Sequence, residues 1–196
     1  MKKIKSVCVY CASSSQIPGI YFEAARRLGE LLAARRIGCI CGAGHQGLMG
    51  VLADTILAAG GSVTGVIPRF MYDEGWAHPH LTQLRITADM HERKQTMAAL
   101  SEAAVALPGG CGTMEELLEI ITWKQLGLYP HPVVILNTGG FYDPLIRQLR
   151  QAVDQSFMRA EHAALWEEAR TPEEAVEALC RDREPSGGFS KHTARL

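Results

Sequence analysis

Short apolar runs and helical patterns alternate along the whole chain. Residues 5–10, 37–41, 62–67, 104–107 and 133–136 are nearly continuous apolar stretches of strand length, with a shorter strand expected near 84–87 and a last one around 164–166. Between them, apolar positions at helical spacing predict helices over 21–35, 48–59, 90–102, 113–126 and 142–155. Thr171-Pro172-Glu173-Glu174 opens a final helix with an N-cap, a first-turn proline and a capping-box glutamate. Strands too apolar to face water on either side, each followed by a helix, imply a parallel sheet covered on both faces. The expected fold class is α/β, a single-domain, doubly wound and mostly parallel sheet flanked by helices. That domain covers 1–182. Residues 183–196 lose the apolar pattern, contain Pro-Ser-Gly-Gly and read as a disordered tail. Ligands on such sheets sit beyond the carboxyl ends of the strands, where the glycine-rich turns of this chain fall.

Composition narrows the partners. With 196 residues, 47% hydrophobic and 21% charged, the chain reads as one globular domain. Lys+Arg 20 against Asp+Glu 21 leaves a net charge of -1, so neither a nucleic-acid nor a membrane surface is expected. A small anionic ligand needs only a few local cations and stays open. The longest apolar runs are far too short to span a bilayer. Met1-Lys-Lys-Ile resembles a signal n-region, but Lys5, Ser6 and Tyr10-Cys11 break any apolar core and no cleavage site follows, so a cytoplasmic location is expected. Six cysteines include Cys8-x-x-Cys11 and Cys39-x-Cys41, in principle a four-thiolate zinc set. Most of them lie in or beside strand-like runs, where thiols pack as small hydrophobes, and one-residue spacing points both side chains to one sheet face. No metal is expected.

Two glycine turns carry candidate chemistry. Gly42, Gly44 and Gly47 formally satisfy G-x-G-x-x-G, but they follow the second strand, and the next strand ends in "VTGVIPR" without the carboxylate that a dinucleotide ribose needs. A turn that lets helix and strand pack closely fits better. The second turn, Pro108-Gly109-Gly110-Cys111-Gly112-Thr113, brings flexible backbone to a helix N-terminus, where free N–H groups, the positive dipole end and the Thr113 hydroxyl suit phosphate. No lysine follows as in a Walker A loop, so a monophosphate suits the site better than a triphosphate. Thr113-x-x-Glu116 is also a capping box that needs no ligand, although a cap leaves the Gly-Gly-x-Gly approach unexplained. Glu115 and Glu119 read as solvated helix faces. In "DMHERK", Asp89 to Lys94, the adjacent Arg93 and Lys94 face different directions. Either they form a solvated charged turn with Glu92 or Asp89, or Arg93 sits over a carboxylate or phosphate at the same sheet edge.

Together, "PGGCGTMEE" and the upstream "MHERK" resemble the paired motifs P-G-G-x-G-T-x-x-E and M-x-x-R-K of the Lonely Guy (LOG) family, the cytokinin-activating phosphoribohydrolases long labelled lysine decarboxylases. The resemblance runs over about 7–157 and includes "GLMG", "GVIP" and "ITWKQLG". It implies a Rossmann-like fold and hydrolysis of the N-glycosidic bond of an N6-modified adenosine or other purine 5′-monophosphate, giving free base and ribose 5-phosphate. It also implies Arg93 and Glu116 as the catalytic pair, with phosphate and sugar held by Gly109, Gly110, Cys111, Gly112 and Thr113. Met90, Lys94, Glu115, Thr122 and Glu74 would line the site. A homodimer with the site near its interface and no cofactor are further implications; some members of the family are hexamers. The chemistry agrees, because a carboxylate beside the ribose stabilises an oxocarbenium-like state and can activate water. Arg93 would hold Glu116 or the leaving base. Ala12 and Ala43 stand where the family usually has glycine, which bears on substrate fit. Cys111 fills the variable motif position at a helix N-terminus, where thiol pKa tends to fall.

Two rivals remain open at the level of sequence. A pyridoxal-phosphate decarboxylase needs a Schiff-base lysine, and Lys94 and Lys124 are the only lysines away from the termini. A nucleotide or cofactor carrier of the same fold would use the phosphate cradle without catalysis. Prenylated adenine, adenine and other purines are equally compatible with the sequence.

Overall fold

The computed structural model describes residues 4–181. The tail expected at 183–196 lies outside the described residues. Among the described residues, seven strands form one sheet: β1 (Ser6–Tyr10), β2 (Gly38–Cys41), β3 (Val63–Pro68), β4 (Gln83–Thr87), β5 (Ala104–Ala106), β6 (Val133–Leu136) and β7 (Glu167–Ala169). Their order is β4-β3-β2-β1-β5-β6-β7 and every pairing is parallel. The strand order reverses once, at β1, which lies between β2 and β5. The crevice beyond the ends of β1 and β5 is therefore the place where such a sheet binds ligands.

The helices are α1 (Gly19–Ala34), α2 (Gly47–Ala58), α3 (Arg69–Asp73), α4 (Met90–Ala99), α5 (Cys111–Gln125), α6 (Asp143–Asp154) and α7 (Pro172–Cys180). Period-two alternation along β1 sends Val7 and Val9 to one face, where Leu28 and Leu32 of α1, Leu52 of α2 and Leu179 of α7 pack. Cys8 and Tyr10 go to the other face, against Met97 of α4, Leu117 and Ile120 of α5 and Ile146 of α6. The thiols follow the same rule. Cys11, Cys39 and Cys41 pack on the first face and Cys8 on the second, all buried, so they serve as core residues rather than as one thiolate cluster. Among the described residues, no helix is long and apolar enough to cross a membrane.

Two elements depart from the expected pattern. The last strand is Glu167–Ala169, because Ala160–Ala164 form a 3-10 turn and Leu165 and Trp166 pack into the core ahead of it. As the edge strand, β7 needs no apolar run, which is why its Glu-Glu-Ala sequence hid it. The short helix α3 lies in the loop after β3 and buries none of its residues, so no apolar stripe announces it. The final helix begins as expected: Thr171 is its N-cap, accepting from Glu174 N at 3.2 Å, with Pro172 first in the helix.

Candidate active site

The turn after β5 does not end in the expected capping box. Helix α5 starts at Cys111 with Gly110 as its N-cap and no side-chain cap. Thr113 is the third helical residue and Glu116 points into the protein, so both are released from the role that needed no ligand. A Cβ on Gly109 would stand 2.1 Å from Thr113 Oγ1, which shows that the threonine hydroxyl occupies that space. A Cβ on Gly110 or Gly112 would meet nothing within 4 Å. Packing does not require glycine at those two positions. What their glycines leave is bare backbone at the amino end of a 15-residue helix, where unpaired N–H groups and the helix dipole attract an anion. Cys111 is exposed there.

Helix α4 brings the second motif. Asp89 caps it by accepting from Glu92 N at 2.8 Å, and Glu92 Oε2 accepts from Ala88 N at 2.6 Å. Those two carboxylates are thereby occupied, and the charged-turn account of Arg93 fails. Arg93 is 7% exposed and its Nη1 donates to Glu116 Oε1 at 2.7 Å, while Nε donates to the Val66 carbonyl at 3.1 Å. The glycine turn after β2 makes room for it, since a Cβ on Gly42 would lie 2.2 Å from Arg93 Nη2. Glu116 is 9% exposed. Burial pushes its carboxyl above the ordinary carboxylate range, and the neighbouring Arg93 guanidinium offsets only part of that. The result is a carboxylate aimed by an arginine, one helical turn inside an uncapped, glycine-framed helix end.

The other expected residues divide. Lys94 Nζ bonds to Glu115 and, at 3.1 Å, to Glu119, so these two glutamates are partners of a buried lysine rather than freely solvated faces. Burial works against the Lys94 charge, but the bonds to Glu115 and Glu119 outweigh it and raise the ammonium's pKa. Such a lysine is poorly placed to act as an amine nucleophile. Thr122 Oγ1 donates back to the Leu118 carbonyl at 2.8 Å, on the exposed side of α5. Met90 is exposed at the start of α4. Glu74 sits exposed just after α3, as the C-cap of that helix.

Beside that pair opens a cleft of about 310 Å³, whose lining includes Gly42, His45, Met49, Ile67, Met71, Trp76 and Arg93. Sequence reasoning reached Gly42 and Arg93 and missed the others. Met49 was visible only as part of "GLMG", and Trp76 lies in a loop with no periodic pattern. The two alanine departures are backbone positions. Ala43 has φ of 64° and is fully buried, and its carbonyl accepts from His78 N at 2.7 Å. Ala12 accepts from Leu48 N at 2.9 Å and donates to the Pro108 carbonyl at 3.3 Å, tying together the turns after β1, β2 and β5. Gly47, with φ of 61°, is the true close approach, because a Cβ there would lie 2.5 Å from the Ser13 carbonyl carbon. A second hollow, of about 380 Å³ and lined by Ser101, Trp123 and Tyr129, shares no residue with this cleft.

A family model described as "Possible lysine decarboxylase" matches residues 49–179. A probable cytokinin riboside 5′-monophosphate phosphoribohydrolase of rice (Oryza sativa subsp. japonica) is 40% identical over 173 residues, 88% of this chain and 78% of that one. A cytokinin riboside 5′-monophosphate phosphoribohydrolase of Arabidopsis thaliana is 39% identical over 194 residues, 99% of this chain and 88% of that one. Among solved structures, a molybdenum cofactor carrier protein from Chlamydomonas reinhardtii superposes with a TM-score of 0.68 at 21% identity, covering 91% of this chain and 96% of that one; it shares the fold. By the family match and these relatives, the chain belongs to the Lonely Guy (LOG) family, to which the lysine decarboxylase description has been attached.

Proposed function

We propose that the chain hydrolyses the N-glycosidic bond of an N6-modified adenosine 5′-monophosphate, or a related purine monophosphate, to free base and ribose 5-phosphate. The observation that carries this reading is the buried Arg93–Glu116 pair one turn inside the glycine-framed end of α5. A 5′-phosphate on the amides at Gly110 to Thr113 anchors the sugar, so that remote binding energy holds the anomeric carbon near Glu116. The Glu116 carboxylate faces the positive charge that develops on the ribose as the bond to the base breaks. A water oxygen joins C1′, its proton passes to Glu116, and the departing base takes up a proton from solvent. Arg93 keeps the carboxylate aimed and ionised, and nothing in this sequence of steps needs a metal or cofactor. A carrier needs the cradle but not a buried, arginine-held carboxylate. Lys94, committed to two carboxylates, speaks against the Schiff-base chemistry of a pyridoxal enzyme.

The reading extends to assembly. The outer side of α5 exposes Leu118, Thr122 and Leu126, and Met90 and Leu100 are exposed at the two ends of α4. A homodimer covering this side would bury those side chains and bring Met90, Lys94, Glu115 and Thr122 to the edge of the partner's cleft. The six free cysteines suit a reducing compartment, in line with a cytoplasmic protein.

The test is to incubate the purified protein separately with N6-isopentenyl-AMP, AMP and the nucleoside N6-isopentenyladenosine, and to quantify free base and ribose 5-phosphate by chromatography. Base from a monophosphate, with release from the nucleoside at least about tenfold slower, is expected from a phosphate-anchored mechanism. Tight nucleotide binding without release of base would move the reading to a carrier.

A further inference from the structure

Trp76 of the segment 75–80 lines the cleft, and the segment is fastened to the glycine turn by long-range bonds. His78 N donates to the Ala43 carbonyl at 2.7 Å, and Gly44 pairs with Ala77 in an isolated antiparallel bridge. His45 Nδ1 donates to the Trp76 carbonyl at 3.0 Å. The His78 side chain, 6% exposed, completes the clasp: its Nε2–H donates to Asp54 Oδ1 of α2 at 3.0 Å, and its Nδ1 accepts from His80 N at 3.2 Å. Partners at both ring nitrogens fix the ring's orientation. No step of the reaction uses this histidine, yet it is held from both sides.

What the clasp positions is Trp76, which with Met49, Ile67 and Met71 gives the cleft beside Arg93 an apolar wall. Strand order places this wall. The anion-binding end of α5 follows β5, whereas Gly42 and the Val66 carbonyl, against which Arg93 rests, lie at the ends of β2 and β3 on the far side of β1. A nucleotide with its phosphate at α5 and its anomeric carbon at Glu116 therefore extends its base towards the wall. Methionines adapt to irregular apolar groups and pack well against an aromatic ring.

We propose that the 75–80 segment selects the departing base: Trp76, with Met49 and Met71, receives an apolar substituent on the purine, and His78 is the positioning residue that holds Trp76 there through Asp54 and the Ala43 carbonyl. This rests on the phosphoribohydrolase reading above. An apolar pocket discriminates by the methylenes it buries, so removing its wall acts on the substituted base and much less on the bare purine.

The test compares kcat/KM for N6-isopentenyl-AMP and for AMP in the full chain and in Trp76→Ala, His78→Ala, His78→Gln and Asp54→Ala. Trp76→Ala lowers the ratio of the two values by about tenfold or more, the change appearing mainly in KM. Asp54→Ala, at a side chain 72% exposed, lowers the ratio in the same direction, and His78→Gln recovers part of what His78→Ala loses. A general loss of structure would depress both substrates together and leave the ratio unmoved. Ratios within about twofold of the parent in both Trp76→Ala and Asp54→Ala overturn the proposal. If the parent cleaves neither nucleotide, the phosphoribohydrolase reading falls. The wall is then judged by titration calorimetry, where Trp76→Ala must weaken binding of N6-isopentenyl-AMP more than binding of AMP, and equal weakening overturns it.

Discussion

Glu116 carries two opposed demands. Burial favours its protonated form and Arg93 favours the ionised form, and burial prevails, so the carboxyl titrates above the ordinary carboxylate range of about 4.3. If the ionised form is the working one, activity is retained above that raised pKa and lost as pH falls through it. The pH profile of kcat/KM is therefore expected to show an acid limb above the ordinary carboxylate value. Arg93→Ala, by removing the charge that lowers the pKa, shifts the limb of its residual activity to still higher pH. A limb at or below 4.3, or one that ignores Arg93, contradicts the assignment. Stability runs the other way. Between the unfolded and the raised folded pKa the native state binds more protons, so this group's contribution declines as pH rises through that window. Cys111 offers a second measurement at this scale. It is the exposed cysteine among six, while burial pushes the thiols of Cys8, Cys11 and Cys180 up. Limited alkylation followed by peptide mapping should find Cys111 modified first and protected by bound nucleotide; equal labelling of all six would sink this. The residue types of the site were legible in the two motifs. The roles of Thr113 and Glu116 were less so, because a capping box and a catalytic carboxylate share the same spacing, and only the true start of α5 at Cys111 tells them apart.

At the scale of elements, the amino end of α5 is where sequence and function meet. Gly109 and Gly110 are neighbours with different reasons for being glycine. Alanine at Gly109 runs into Thr113 and should destabilise the fold, whereas alanine at Gly110, with φ of -81° and open space around it, fits the backbone. Gly110→Ala is expected to cost about 1 kcal/mol or less in thermal unfolding. In the same variant, KM for the monophosphate should rise by about tenfold because the added methyl crowds the anion. An unchanged KM would remove the phosphate from this helix end. The strands and long helices were legible because each buries an apolar run or stripe. The edge strand β7 and the short α3 were not, because neither buries a continuous apolar pattern. The 75–80 segment was illegible for a different reason: its conformation is set by bonds to Ala43, His45 and Asp54, which lie more than twenty residues away in sequence.

For the whole molecule, alternating strands and helices predicted a parallel sheet, but not which strands are neighbours. The order β3-β2-β1-β5 brings Arg93, resting on the ends of β2 and β3, to Glu116 on the helix after β5, across the one reversal in the sheet. Arg93 and Glu116 lie 23 residues apart along the chain, and topology makes their two motifs one site. That site is the central claim, and Glu116→Gln tests it most directly. Glutamine keeps the size and still offers an oxygen to Arg93, so unfolding free energy should fall by no more than about 1–3 kcal/mol. Release of base and ribose 5-phosphate from N6-isopentenyl-AMP should fall by on the order of a hundredfold or more, while the nucleotide still binds. A Glu116→Gln protein that is clearly destabilised yet releases base at the parent's rate would contradict the account and make the pair a structural one.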